Sequence, residues 1–211
     1  MRGAIFLLAT AVSAGTVLAG AAPVTAEWMG PAARAESPAA AAESDAALRP
    51  LVESVLERLQ TADAVAAAKW ATATRTGQPP SIDDPAREAE VYDSMAAAGN
   101  DMGLPEAWVR QVFHGQIEAN KTVQRGLHTR WRFDPGTAPA TPPDLSAVRP
   151  VIDRLNGEIL RRLAAHRGEL SGPGCAGRLA AAAFPVLTSG RADALHQAAL
   201  VRASIALCAA P

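Results

Sequence analysis

From Leu48 the apolar positions step by three and four through Leu51, Val55, Ala62 and Val65, the spacing of a helix that buries one face. Two places on the same seam carry charge, Arg58 and Lys69. They stand eleven residues apart, so they share a face with roughly 16 Å of rise between them. Only Ala62 and Val65 lie between them on the stripe. Two cationic side chains leaning inward over so small a floor would bracket a small anion. The other reading of the same pattern lays both stems along the core edge with their heads in water. Asp45 is a candidate N-cap for this helix, and Thr76-Gly77-Gln78-Pro79-Pro80 stops it past Trp70.

The pattern predicts five more helices. Asp84 as cap and Pro85 at the first helical position start a second one, over Ala86 to about Asn100. A third runs from Pro105 to about Trp131, with the stripe Val109, Phe113, Gln116, Asn120, Gln124, Leu127, Trp131. Its middle is polar: Asn120 and Gln124 stand one turn apart among apolar neighbours and need partners, either each other or something bound. The Pro-rich segment 132–144 is a connector. A fourth helix follows the Asp144-Leu145-Ser146 cap region to about Gly168, burying Val148, Ile152, Leu155, Ile159 and Leu163. Two shorter helices flank Ser189-Gly190. The expected fold is all-α, a six-helix bundle with one long N-terminal helix and no β-sheet, in a single domain over 45–211.

Composition narrows the function classes. The formal net charge of −1 in 211 residues gives no electrostatic footprint for nucleic acid. His114, His128, His166 and His196 show no metal-ligand spacing, so no metal or other cofactor is expected. At the N-terminus, Arg2 precedes an apolar run from Ala4 to Ala19, and Val24-Thr25-Ala26 fits a signal-peptidase site. The expectation is a cleavable signal over 1–26, a disordered leader over 27–44, a secreted or periplasmic product, and no membrane association after cleavage. The other reading keeps the run as an uncleaved anchor. Cys175 and Cys208, the only cysteines, would then meet an oxidising compartment and form one disulfide, contributing about 3 to 4 kcal/mol in the chain-entropy model.

Taken together, Arg58, Lys69-Trp70, the box Asp84-Pro85-Ala86-Arg87-Glu88, the pair Asn120 and Gln124, and Pro142-Pro143-Asp144-Leu145-Ser146 leading to Arg149 resemble the all-helical chorismate mutases of the AroQ class. The exported subclass, with its signal peptide and C-terminal cysteine pair, is the most similar. The resemblance extends from Leu48 to Cys208. It implies conversion of chorismate to prephenate, a Claisen rearrangement that needs no nucleophile, proton transfer, metal or cofactor. By resemblance, Arg58 and Arg149 clamp the two substrate carboxylates, and Lys69 and Gln124 donate to the ether oxygen. Asn120 contacts a carboxylate, Glu88 accepts the ring hydroxyl, and Asp84 caps the helix and orders Arg87. In compact members the leading Arg crosses a subunit boundary. Here the pattern implies that Arg149 comes from the same chain, giving a homodimer whose sites are each complete within one chain.

The chain departs from the pattern twice. The segment between Lys69 and Arg87 is about six residues longer than in compact members, which unsettles the start of the second helix and the role of Glu88. Some exported relatives carry Glu where this chain has Gln124. Two other readings remain open: a lyase of the same fold that removes pyruvate from isochorismate, and a non-catalytic exported protein that binds a small anion or a partner surface.

Overall fold

In the computed structural model, which describes residues 38–209, every regular element is a helix. In chain order these are α1 (Pro38–Thr76), α2 (Pro85–Asp101), α3 (Glu106–Phe133), α4 (Leu145–Ala165), α5 (Arg167–Ser171), α6 (Cys175–Leu187) and α7 (Ala194–Ile205), with one 3-10 turn at Pro135–Thr137 in the connector. The expected signal, 1–26, and the leader as far as residue 37 lie outside the described residues.

Two expectations are corrected here. The bundle has seven α-helices rather than six, because the fourth expected helix breaks at His166, whose backbone turns to φ −112°, ψ 25°. Beyond the break, Leu170 on α5 is fully buried. The first helix also begins at Pro38 rather than near Asp45. The sequence there, one proline followed by four alanines, combines a residue suited to the first turn with the strongest helix former.

α1 is the axis of the molecule and packs against α3, α4, α6 and α7. Leu48, Leu51, Val55, Leu56 and Leu59 are fully buried on it, each side chain contributing about 2 kcal/mol of transfer free energy. α2 leans on α3 and touches α4. Its head is set by Asp84, whose carboxylate accepts the Arg87 backbone N–H at 3.1 Å, one of the donors every helix N-terminus leaves unpaired. Its tail turns at Gly103, φ +72°. There Leu104 N–H returns to Gly99 O and Gly103 N–H to Asn100 O, and Leu104 is buried behind the turn, a Schellman motif that only glycine enters without strain.

α3 and α7 approach closely because Gly115 lacks a Cβ, which would collide with Ala206. The carbonyls just after α7 are then served from α3: Trp108 Nε1 donates to Leu207 O at 3.0 Å, and Gln111 Nε2 to Ala206 O and Cys208 O. The Cys175–Cys208 disulfide is formed and ties the start of α6 to the residues after α7.

α7 also carries a charged staple. His196, 7% exposed, faces Asp63 of α1 with Nε2 at 3.0 Å and Asp193 with Nδ1 at 2.7 Å. Both ring nitrogens meet carboxylates, so the imidazolium is the form that fits. The bond to Asp63, reinforced by Asp193 against the cost of burial, raises its pKa to about 9. Because the folded-state pKa is the higher one, this staple stabilises fully below about pH 6.5 and is lost as pH rises through about 9. With Asp63 and Asp193 about half exposed, the contribution is discounted to about 2 kcal/mol. In urea unfolding, the wild type is expected to lose about that much more stability between pH 6 and pH 9.5 than His196→Asn; equal losses would dismiss the staple.

Candidate active site

One cavity of about 370 Å³ opens where α1, α2, α3 and α4 converge. All eight substrate-site residues expected from the sequence line it: Arg58 and Lys69 from α1, Asp84, Arg87 and Glu88 from the head of α2, Asn120 and Gln124 from α3, and Arg149 from α4. Its apolar lining comes from Val65, Ile117, Val148 and Ile152 among others. All belong to one chain.

Arg58 is the deepest cation, 5% exposed. Its Nε donates to Asn156 Oδ1 of α4 at 2.7 Å, and its guanidinium carbon lies 5.9 Å from the Phe113 ring centroid. No carboxylate among the described residues pairs with it. Burial pulls its pKa down to about 10, so it stays charged at neutral pH. A buried guanidinium held by a neutral amide and a ring keeps donors for an incoming anion. Lys69 is half-buried and donates from Nζ to Ile82 O at 2.9 Å. Burial lowers its pKa below the ordinary lysine value, while Asp84, Asp83 and Glu88 pull it back. Of the two readings of the α1 seam, the inward one is observed for Arg58. Trp70, next to Lys69, turns the other way and packs on His128 and Trp131, pinning this end of α1 to α3. The His128 Nε2 sits 2.8 Å from Ala66 O, and burial lowers its pKa.

The amide pair bonds to itself: Gln124 Nε2 donates to Asn120 Oδ1 at 2.7 Å. An amide nitrogen carries two hydrogens, so Gln124 keeps one donor beyond this bond. Arg149 lies exposed on the first turns of α4 at the cavity rim and makes no ion pair among the described residues. Asp84 caps α2 as expected, yet it does not order the Arg87 side chain. The Asp84 carboxylate is spent on a backbone N–H, and the Arg87 guanidinium pairs instead with Glu90 at 2.7 Å on the surface. Glu88 is engaged as well, accepting from Asp84 N–H at 3.3 Å and pairing with Lys121 at 2.7 Å.

Three participants escaped the sequence reading. Asn156, the partner of Arg58, is a buried polar residue between Leu155 and Ile159, on a helix read for its apolar stripe and for Arg149. The Ile82 carbonyl is a backbone group and carries no side-chain signal. Lys121 lines the cavity at 8% exposure, yet Glu118-x-x-Lys121 reads as an ordinary surface pair one turn apart. Its ammonium meets Glu88 at 2.7 Å, Glu118 at 2.9 Å and Asp83 at 3.1 Å. Burial works against its charge, but the hydrogen bonds to these three carboxylates outweigh it and hold its pKa above the ordinary lysine value.

Comparison with known proteins places this cavity in a family. Residues 42–125 match the profile of type II chorismate mutases. Over 203 residues, 96% of this chain and 94% of the relative, the sequence is 36% identical to a secreted chorismate mutase of Mycobacterium tuberculosis. The chain belongs to the chorismate mutase family. A second secreted chorismate mutase, from Mycolicibacterium smegmatis, is 35% identical over 161 residues, covering 76% of this chain and 86% of the relative. The crystal structure of a chorismate mutase from Burkholderia phymatum superposes with a TM-score of 0.70 at 38% identity, over 79% of this chain and 99% of that one.

Membership in a chorismate mutase family gives the unpaired Arg58 a reason that stability alone does not supply. A buried charge without a counter-ion costs free energy that a hydrophobic side chain of similar size would not. Arg58→Met is therefore expected to lose no more than about 1 kcal/mol in urea unfolding, since the relief of burial offsets the abandoned Asn156. A loss of 3 kcal/mol or more would mean that Arg58 is a structural group.

Proposed function

We propose that this protein rearranges chorismate to prephenate in the four-helix cavity. The observation that carries the proposal is the convergence of all eight family-matching residues on one cavity, in a chain 36% identical over nearly its whole length to a secreted chorismate mutase. In the rearrangement a C–O bond breaks and a C–C bond forms within one molecule, so the protein adds and removes no atoms or protons. Its tasks are to hold a flexible dicarboxylate in a compact conformer and to stabilise charge that builds on the ether oxygen.

The two carboxylates go to Arg58, deep on α1, and Arg149, at the rim on α4, with Asn120 supporting one of them. Lys69 and the remaining Gln124 N–H donate to the ether oxygen, where charge appears only as the bond breaks. Glu88 accepts from the ring hydroxyl. Ile117, Val148 and Ile152 supply an apolar wall that excludes water and strengthens those donors.

The proposal extends to where and how the protein works. A signal over 1–26 is cleaved after Ala26 and the enzyme acts outside the cytoplasm, as the curated relatives named secreted suggest. It forms a homodimer in which each site is complete within one chain; the completeness is supported by the one cavity that holds all eight expected site residues. Light scattering on the purified enzyme measures the assembly.

The protein from Glu27 onward should convert chorismate to prephenate without releasing pyruvate; release of pyruvate would mark a lyase. Lys69→Ala should lower kcat by about 100- to 1,000-fold. The wild-type rate should be nearly flat from pH 5 to 8, because an amide donates at any pH. It should fall at alkaline pH as Lys69 deprotonates, below the ordinary lysine value as its lowered pKa requires. Gln124→Glu should lose rate as pH rises and the new carboxyl ionises. A wild-type rate falling steeply between pH 5 and 8 would remove Gln124 from the ether oxygen.

A further inference from the structure

Lys121 is a buried cation at the substrate cavity with nothing left to give a substrate. An ammonium has three N–H donors, and three carboxylates surround this one: Glu88 at 2.7 Å, Glu118 at 2.9 Å and Asp83 at 3.1 Å. The three come from different parts of the chain. Glu118 sits one turn before Lys121 on α3 and also meets Arg202 of α7 at 3.4 Å, so it belongs to the rigid scaffold. Glu88 is in the first turn of α2 and lines the cavity. Asp83 lies in the segment joining α1 to α2, is held again by Arg125 at 2.8 Å, and follows Ile82, whose carbonyl receives Lys69 at 2.9 Å.

We propose that Lys121 is a positioning residue of the active site, clamping Glu88 and the Ile82–Asp83 segment onto α3 so that the cavity carboxylate and Lys69 are fixed before substrate enters. The inference rests on the reading of this cavity as the chorismate site. The longer connection between Lys69 and Arg87 makes such a clamp necessary. Residues 77–84 have no regular structure; Gly77 and Gln78 bond back to the end of α1 and Asp84 caps α2, and between these ends Ile82 and Asp83 tie the segment to the bundle. Without Lys121, Asp83 would keep Arg125 and Glu118 would keep Arg202, but Glu88 would face both carboxylates with no cation of its own, and repulsion would push the head of α2 off the cavity. Displacing a group by about 1 Å at a site working by preorganisation costs on the order of 100-fold in rate.

The clamp and a merely structural lysine differ in what they change. Lys121→Met keeps the stem and removes the charge. It should lower kcat at least tenfold with KM altered less than about threefold, while Lys121→Arg, which restores the charge, should return kcat to within about threefold of wild type. Glu88→Gln alone should cost about tenfold in kcat, and adding it to Lys121→Met should cost no more than a further twofold, because the two act through one group. Undiminished kcat in Lys121→Met, a loss confined to KM, or losses that multiply in the double variant would each overturn the proposal. If Lys121→Met fails to fold, judged by circular dichroism, Glu118→Gln loosens the same ammonium from outside the cavity. It should lower kcat several-fold with an unchanged melting curve, and unaltered kcat there would overturn the proposal. Absence of chorismate turnover in the wild type is a different result, which removes the functional reading itself.

Discussion

The chemistry of the cavity depends on one buried guanidinium. Arg58 sits on α1, at the point where α1, α3 and α4 meet, and no carboxylate among the described residues neutralises it. Keeping it there constrains its neighbours. α4 must place Asn156, a neutral acceptor, 2.7 Å from Nε, and α3 must place the Phe113 ring beneath the charge. An aspartate at 156 would satisfy the guanidinium better and would compete with any anion for it. An amide satisfies one donor and leaves the charge available, so the packing of α4 on α1 and the readiness of the cavity for an anion share one contact.

Charge is sorted around the cavity so that its acids are drawn into local pairs, while Arg58, Lys69 and Arg149 keep no ion-pair partner among the described residues. Asp83, Glu88 and Glu118 converge on Lys121, the Asp84 carboxylate is spent on a backbone N–H, and Glu90 draws Arg87 to the surface. What faces the open space is Arg58, the Lys69 ammonium and Arg149, two of them guanidiniums suited to forked bonds with carboxylates. Electrostatic complementarity here comes from withdrawing acidic groups into local pairs as much as from supplying basic ones.

Much of this was legible in the sequence because helical spacing is geometric. Arg58 and Lys69 interrupt an apolar seam at i and i+11, and Asn120 and Gln124 interrupt another at i and i+4, so each pair had to share a face. Which faces would meet was not written in periodicity and came from the resemblance. The remainder was hidden for identifiable reasons. Lys121 looked like a solvated i,i+3 pair because its burial is created by α2 and the 77–84 segment, both distant in sequence. Asn156 sat in a stripe otherwise read for its leucines. The break at His166 falls between Leu163 and Leu170, which keep helical spacing, so the apolar pattern runs through it unmarked, and the extension of α1 to Pro38 followed alanine propensity that had been read as leader composition.

The helix that holds Arg58 comes first in the chain, and much of the wall it packs against comes last, from α6 and α7. The terminal carbonyls of that wall are in turn satisfied by Trp108 and Gln111 in the middle. A growing polypeptide therefore has no finished core to close around α1 until nearly its last residue has been made. The part of the α1 apolar face that α6 and α7 cover stays open until the end of synthesis, and Cys175 meets Cys208 only then. The closing of this bundle is therefore an event of the whole chain.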